Sequence, residues 1–223
     1  MSPRHALTIA ALVAASLLAS GGPKGALAQP AAPSPAAPGG GSGAMSGVNF
    51  DMTMLVKAPL GSWSDYTMSK AGSDKSLTIR YAIVEKTAQK LGLEIDTPTP
   101  QGEVVMRFDF VAQPNAWKLV GGKMQRGDEK RDMPKEQIDA TPPLKNDARP
   151  GDLVGTENVT IPSGTFACKH YRAKVAADPQ SPVMDMWVSD KVSPTGLVKS
   201  ELSPLGIGMQ LAAQGSGAQS KTK

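Results

Sequence analysis

The sequence contains little cysteine, histidine or aromatic residue, and each shortage excludes a class of site. The chain of 223 residues has one cysteine, two histidines and 4% aromatic side chains. A single cysteine cannot form an intrachain disulfide, and it cannot supply a four-cysteine zinc site. The few aromatic rings argue against a surface on which nucleic-acid bases stack. Long apolar runs are also missing, because none reaches the roughly 20 residues that cross a bilayer as a helix.

The first 28 residues have the three parts of an export signal. Arg4 and His5 give a positive start, residues 6–19 are apolar, and Ala26-Leu27-Ala28 is a small-x-small cleavage pattern. We predict cleavage after Ala28 and a periplasmic or secreted protein, with an uncleaved membrane anchor as the alternative. Cleavage removes two of the 24 basic residues and no acidic one, so the formal net charge of +4 falls to +2. Nucleic acid is therefore not an expected partner.

The mature chain divides into three parts by composition. Residues 29–47 are rich in proline and alanine and then in glycine and serine, which predicts a disordered linker. Residues 215–223 are polar and are predicted to form a flexible tail. Residues 48–214 lie between them and are predicted to fold as one β domain.

Alternation of apolar and polar residues is the main structural signal in this domain, and it predicts half-buried strands. It is strong over residues 48–56, 77–83, 91–95, 104–110 and 207–211. Weaker strands are predicted over residues 63–69, 117–125, 153–161, 166–175, 183–189 and 197–202. The charged stretch 128–140 contains Pro134 and has room for only a turn or two of helix.

No long amphipathic helix is available to cover the apolar side of these strands. We therefore predict a mainly β protein, with a single curved antiparallel sheet that is a half barrel or barrel-like. Few or no long helices are expected apart from the signal peptide.

Cys168 and His170 are the only thiol and imidazole left after signal cleavage. At i and i+2 on a predicted strand they share a face. Two ligands do not complete a zinc site, and no known nucleophile signature surrounds Cys168. We interpret the pair as a small buried cysteine beside a strand histidine. No catalytic residue, cofactor or metal site is predicted, and the protein is not expected to be an enzyme.

Methionine is more informative, since ten of the eleven methionines lie in the mature chain. Two Met-x-Met pairs occur, Met52/Met54 and Met184/Met186. Thioethers on one strand face can bind Cu(I), and Cys168 could join them. Core packing is the plainer interpretation of the pairs, and flexible methionines on a concave face also suit varied apolar ligands.

A string of short motifs resembles a group of uncharacterised exported bacterial proteins. The motifs are Gly61 to Tyr66 (GSWSDY), Gly155-Thr156-Glu157, Ile161 to Phe166 (IPSGTF), Cys168, His170-Tyr171-Arg172, Trp187-Val188-Ser189 and Pro194 to Glu201 (PTGLVKSE). The resemblance implies an outline similar to the curved-sheet carriers of lipoproteins or lipids, although this chain lacks their long lid helices. It implies no catalytic residues.

The leading hypothesis is a non-enzymatic periplasmic protein that binds a lipid or another apolar small molecule in the concavity of the sheet. The predicted lining residues are Phe50, Met52, Met54, Tyr81, Met106, Phe108 and Met209. One alternative is a structural or protein-interaction module of the cell envelope that pairs through an exposed edge strand. The other alternative is a soft-metal binder that holds Cu(I) through methionine and cysteine. No membrane span is expected after signal cleavage.

Overall fold

The computed structural model describes residues 52–174 and 181–222 of the chain, which form one twelve-stranded antiparallel sheet with two six-residue helices. The elements are α1 Met52–Lys57, β1 Trp63–Lys70, β2 Ser76–Lys86, β3 Lys90–Thr99, β4 Gly102–Gln113, β5 Ala116–Arg126, β6 Glu129–Asp132, α2 Lys135–Ala140, β7 Leu144–Lys145, β8 Asp152–Ile161, β9 Gly164–Lys174, β10 Val183–Val188, β11 Leu197–Ser203 and β12 Ile207–Gly215. In this part of the chain no helix has the length and hydrophobicity to cross a bilayer.

The sheet consists of two meanders joined through the first and last strands. The strand order is β6-β5-β4-β3-β2-β1-β12-β11-β10-β9-β8, and the short β7 pairs with β5. The β1–β12 pair runs antiparallel from Trp63 opposite Gly215 to Lys70 opposite Ile207. The sheet is curved but does not close, so β6 and β8 remain its edge strands. The predicted fold class is therefore confirmed.

The core lies on the inner face of the curve and draws on both meanders. Its most buried side chains include Tyr66 on β1, Leu93 on β3, Leu119 on β5, Met186 on β10 and Leu211 on β12. These residues occupy alternate strand positions, which is why the period-two signal located them. The sheet thus buries its apolar face against itself.

The predicted strands between residues 63 and 211 are confirmed, but the strand prediction for residues 48–56 is wrong where the structure describes it. Residues 52–57 form α1, which buries Met52 and Leu55 on one side and leaves Lys57 exposed. The three-residue spacing of Met52 and Leu55 fits a helix, and Pro59 follows its end. The strands β6 and β7 were not predicted. Residues 1–51, which include the predicted signal and linker, lie outside the described residues.

Residues 216–222 cross the outer face of β1–β3, and we call them the strap. Ala218 N donates to Gly61 O at 2.9 Å, and Trp63 Nε1 donates to Ser216 O at 3.2 Å. Gly61 has φ of 79°, and a Cβ there would lie 3.2 Å from Gly217 N, so glycine allows this close approach. The composition of the predicted flexible tail did not indicate these contacts.

Candidate functional site

A cleft of about 510 Å³ lies where α1 meets the strands β8–β10, and we call it the β8–β10 cleft. Its volume falls in the range of small-molecule sites, roughly 300–1,000 Å³. Each wall comes from a different element. The lining residues are Met54 from α1, Thr156, Glu157 and Asn158 from β8, Ala167, Cys168 and Lys169 from β9, and Val188, Ser189 and Asp190 from the end of β10 and the turn after it.

The floor of the cleft is mainly apolar and its rim is polar. Cys168, Val188 and Ser189 are 3%, 8% and 2% exposed, and Met54 is half-buried. Thr156, Glu157, Asn158, Lys169 and Asp190 are exposed around them. An apolar floor with a few polar groups at the mouth is the usual design of a site for an amphipathic small molecule.

Cys168 is a protonated thiol rather than an activated nucleophile. Burial, together with the negative charge of Glu157, raises its pKa to about 11. Its Sγ–H donates to Phe166 O at 3.4 Å and not to an imidazole. Since the thiolate is the reactive form, this cysteine contributes apolar surface to the cleft rather than covalent chemistry.

A polar cluster adjoins the cleft through Glu157, and we call it the His170 cluster. His170 stacks on Trp187, with ring centroids 4.5 Å apart and planes 14° from parallel. These two residues are directly opposed on β9 and β10. Trp187 Nε1 donates to Glu157 Oε1 at 2.6 Å, and His170 Nε2 lies 2.6 Å from Asp185 Oδ1.

Asp185 is held as a carboxylate within this cluster. Burial alone would raise its pKa, but hydrogen bonds from Arg172 and His170 outweigh that effect and lower the pKa. Arg172 Nε lies 2.9 Å from Asp185 Oδ1. The sequence analysis found His170 but missed its partners, because the pairing of β9 with β10 and β8 brings together residues far apart in sequence. The alternation that places residues 185 and 187 on one strand face is the only sequence signal for them.

The structure brings one predicted lining residue, Met54, to the cleft. Met52, Tyr81 and Phe108 are 2%, 1% and 8% exposed within the core cluster. Met106 and Met209 are partly buried and pack against the same cluster. These five side chains therefore belong to the core cluster or pack against it. Phe50 lies outside the described residues.

The two Met-x-Met pairs differ in the structure. Met52 and Met54 lie two residues apart on a helix, so they point in directions roughly 200° apart and do not share a face as on a strand. Met186 is buried in the core, and Met184 packs against it. Within residues 52–174 and 181–222, no group of three or more His, Cys, Asp or Glu residues is arranged to hold a metal ion.

Solved structures that resemble this chain include exported and uncharacterised bacterial proteins. A protein from Parabacteroides distasonis classed as a lipoprotein has 15% identity and a TM-score of 0.40, covering 71% of this chain and 96% of its own. A protein from Bacteroides fragilis classed as exported, with a YmcC-like fold, has 12% identity and a TM-score of 0.43, covering 71% and 97%. The hypothetical protein CT021 from Chlamydia trachomatis has 10% identity and a TM-score of 0.45, covering 77% and 95%.

No protein-family model and no curated protein matches the sequence. The resemblance that the sequence analysis described, to exported bacterial proteins of unknown function, agrees with the structures found.

Proposed function

We propose that this is a non-enzymatic exported protein that binds an apolar small molecule, such as a fatty-acyl chain, in the β8–β10 cleft. The observation that carries the proposal is the apolar floor formed by Met54, Cys168 and Val188 beneath an open, polar mouth. The site differs from the one expected from the sequence, since it lies beside α1 rather than among the core residues of the inner face.

The side chains of the cleft suit a flexible apolar ligand. A methionine thioether adapts its shape at little cost, so Met54 can follow different chain lengths or degrees of unsaturation. Lys169 stands at the rim and offers one positive charge to a carboxylate or phosphate head group. Because this lysine is exposed, we expect its charge to contribute orientation more than affinity.

The absence of catalysis is part of the proposal and rests on how the reactive groups are used. The Cys168 thiol is protonated and donates to Phe166 O. Asp185 is engaged by both Arg172 and His170. The Cys168 thiol and the Asp185 carboxylate are therefore each engaged in hydrogen bonds within the protein. Export is supported by the signal pattern of residues 1–28.

Binding of a fluorescent fatty acid, cis-parinaric acid, with displacement by palmitate tests the proposal. Ala167 is an exposed cleft residue, so Ala167→Trp fills the cleft without touching the core. The matched control is Ala212→Trp, which changes an exposed alanine of β12 that is not among the lining residues. We expect wild type and the control to bind the probe alike and Ala167→Trp to bind at least 10-fold more weakly. Equal binding by all three proteins would reject the cleft as the site.

A second candidate, a protein-interaction module, is favoured by the edge strand β8. This ten-residue strand ends the sheet, and its adjacent Leu153 and Val154 are each 53% exposed. An apolar edge of this length is a template for strand pairing. A photo-crosslinking amino acid at position 154 should then give one discrete adduct in cells, and the same group at position 212 should give none. Absence of an adduct at both positions would reject this candidate.

A further inference from the structure

The outer face of β3 carries two buried carboxylates at positions that the alternation pattern predicts to be exposed to solvent. Leu91 and Leu93 point into the core, while Glu94 and Asp96 occupy the opposite face and are only 2% and 6% exposed. The strap covers them. Together with Glu103 on β4 they form an acidic pocket, which we call the Glu94 pocket.

The strap binds in this pocket mainly through hydrogen bonds to Glu94. Glu94 Oε1 accepts hydrogen bonds from Ser220 Oγ at 2.6 Å, Thr222 Oγ1 at 2.6 Å and Thr222 N at 3.2 Å. Glu94 Oε2 accepts one from Lys221 N at 2.9 Å. The Glu94 carboxylate thus accepts hydrogen bonds from two hydroxyl groups and two backbone N–H groups, which belong to three consecutive residues. Charge-assisted bonds of this kind are among the stronger hydrogen bonds in proteins.

The lysine between the two hydroxyl residues is recognised by charge. Lys221 Nζ lies 2.9 Å from Asp96 Oδ2 and 2.8 Å from Glu103 Oε1. Arg107 supports the arrangement from β4 by donating to Ser220 Oγ at 3.2 Å while it pairs with Glu85 and Asp109. The pocket is therefore complementary to a hydroxyl–lysine–hydroxyl sequence.

The strap does not satisfy the whole pocket. Asp96 Oδ1 is a buried carboxylate oxygen with no hydrogen-bond partner among the described residues. Such a group is costly in a structural contact, because a buried acceptor normally finds a donor. It leaves unused binding capacity beside Lys221.

We propose that the Glu94 pocket is a peptide-binding site for a Ser-Lys-Thr type segment of another protein, and that residues 220–222 of the strap occupy it as a ligand from the same chain. Displacement of the strap opens the pocket to such a partner. The site is separate from the β8–β10 cleft, and its function does not depend on apolar-ligand binding.

The test compares full-length proteins in the binding of a synthetic peptide of residues 217–222 (GAQSKT), measured by isothermal titration calorimetry. A tethered ligand competes at an effective concentration on the order of millimolar, so wild type should bind the peptide at least 10-fold more weakly than a variant with a released strap. Lys221→Glu places a like charge against Asp96 and Glu103 and should release it. The double variant Ser220→Ala with Thr222→Ala should release the strap by removing hydroxyl donors only. It replaces Lys221→Glu in the experiment if Lys221→Glu does not fold.

Three further measurements link binding to the pocket. In the Lys221→Glu background, Glu94→Gln should weaken peptide binding at least 10-fold, while Glu129→Gln on the exposed strand β6 should leave it unchanged. A peptide with glutamate in place of its lysine should not bind. Equal peptide binding by wild type and both released variants, or no effect of Glu94→Gln, would overturn the proposal. Concentration-dependent dimerisation of wild type that Lys221→Glu abolishes would also overturn it, because it would show that the strap binds a second copy instead of its own chain.

Discussion

Cys168 shows how burial decides the chemistry of a single residue. The sequence placed its thiol two residues from a histidine, and the structure gives it a backbone carbonyl partner and a buried position in the cleft floor. Because its pKa of about 11 lies two units above the ordinary value of 9.0, about a hundredfold less thiolate is present near pH 8.

Alkylation kinetics should reflect this protonated state. We expect iodoacetamide to modify native Cys168 at pH 8 at least about 100-fold more slowly than the same protein unfolded in urea. The rate should continue to rise above pH 9. Mass spectrometry of timed samples measures both rates. Rapid labelling of the native protein at pH 7 would show an activated thiolate and would contradict the non-enzymatic account.

Asp185 and Asp96 make opposite contributions to the dependence of stability on pH. The pKa of Asp185 is lowered, since the hydrogen bonds from Arg172 and His170 outweigh burial. Its stabilising contribution is therefore present above the unfolded value of 3.8 and is lost as pH falls below that value through the folded pKa. The pKa of Asp96 is raised, chiefly by burial, so ionisation of Asp96 destabilises the folded protein as pH rises through the folded pKa.

Urea unfolding between pH 7 and pH 3 should separate the two carboxylates. At pH 7 we expect Asp185→Asn to cost about 2 kcal/mol, because it removes charge-assisted hydrogen bonds, and this cost should shrink on acidification. Asp96→Asn should behave in the opposite way. Its unfolding free energy, measured relative to that of wild type, should fall as pH falls. Parallel pH profiles for the two variants would contradict these assignments.

At the scale of elements, the sequence pattern located the strands because every second side chain of a half-buried strand faces the core. The helix α1 escaped prediction because Met52, Met54 and Val56 alternate in the sequence, while burial in the structure selects Met52 and Leu55. A six-residue segment contains too few repeats to separate the two periods. The position of α1 against the turn before β11 then depends on contacts distant in sequence.

Gly196 lies in that turn, close to Met54 of α1. A Cβ at this position would lie 2.8 Å from Met54 Cγ and 3.0 Å from Val188 Cγ1. Gly72 has nearly the same backbone angle, φ of 77° against 76°, but open space around it. The two glycines therefore separate backbone strain from packing.

Alanine substitution at the two glycines should give different losses of unfolding free energy. We expect Gly72→Ala to cost about 1 kcal/mol from the left-handed backbone alone. Gly196→Ala should cost about 2 kcal/mol more, because the added methyl overlaps Met54 and Val188. Chemical denaturation measures both values. Equal losses would show that α1 does not pack on this turn.

At the scale of the whole molecule, a side-chain contact joins two strands that are not neighbours in the sheet. The Tyr66 hydroxyl on β1 donates to Leu197 O on β11 at 2.8 Å and contacts Thr195, although β12 lies between these strands in the sheet. Tyr66 is fully buried, and burial, opposed by the hydrogen bond with Thr195, raises its pKa to about 12. No sequence pattern predicts this link, because it depends on how far the sheet curls.

Removing the hydroxyl tests whether this link stabilises the curve. Tyr66→Phe should cost about 2 kcal/mol, since it leaves Leu197 O buried without its donor. In a double-mutant cycle with Thr195→Val, the combined cost should be smaller than the sum of the single costs by at least 0.5 kcal/mol. Additive costs would show that the two side chains are not coupled.

The sequence predicted the sheet but not the site. A strand's alternation is local, so the fold class and ten of the strands could be predicted from it. The β8–β10 cleft needs α1, three strands and a turn to meet, and the Glu94 pocket needs the strap to return to β3 over more than a hundred residues. Composition identified Met54 as a candidate, but the residues beside it follow from topology alone.

Native mass spectrometry of the exported protein tests the central claim most directly. The chain would be expressed with its own signal, recovered from a bacterial periplasm and purified without detergent or chelator. We predict a species carrying an added mass of a fatty acid or lipid in wild type and in Ala212→Trp, and its loss in Ala167→Trp. A bare mass in all three proteins would contradict the account, and an added copper mass would replace it with the soft-metal alternative.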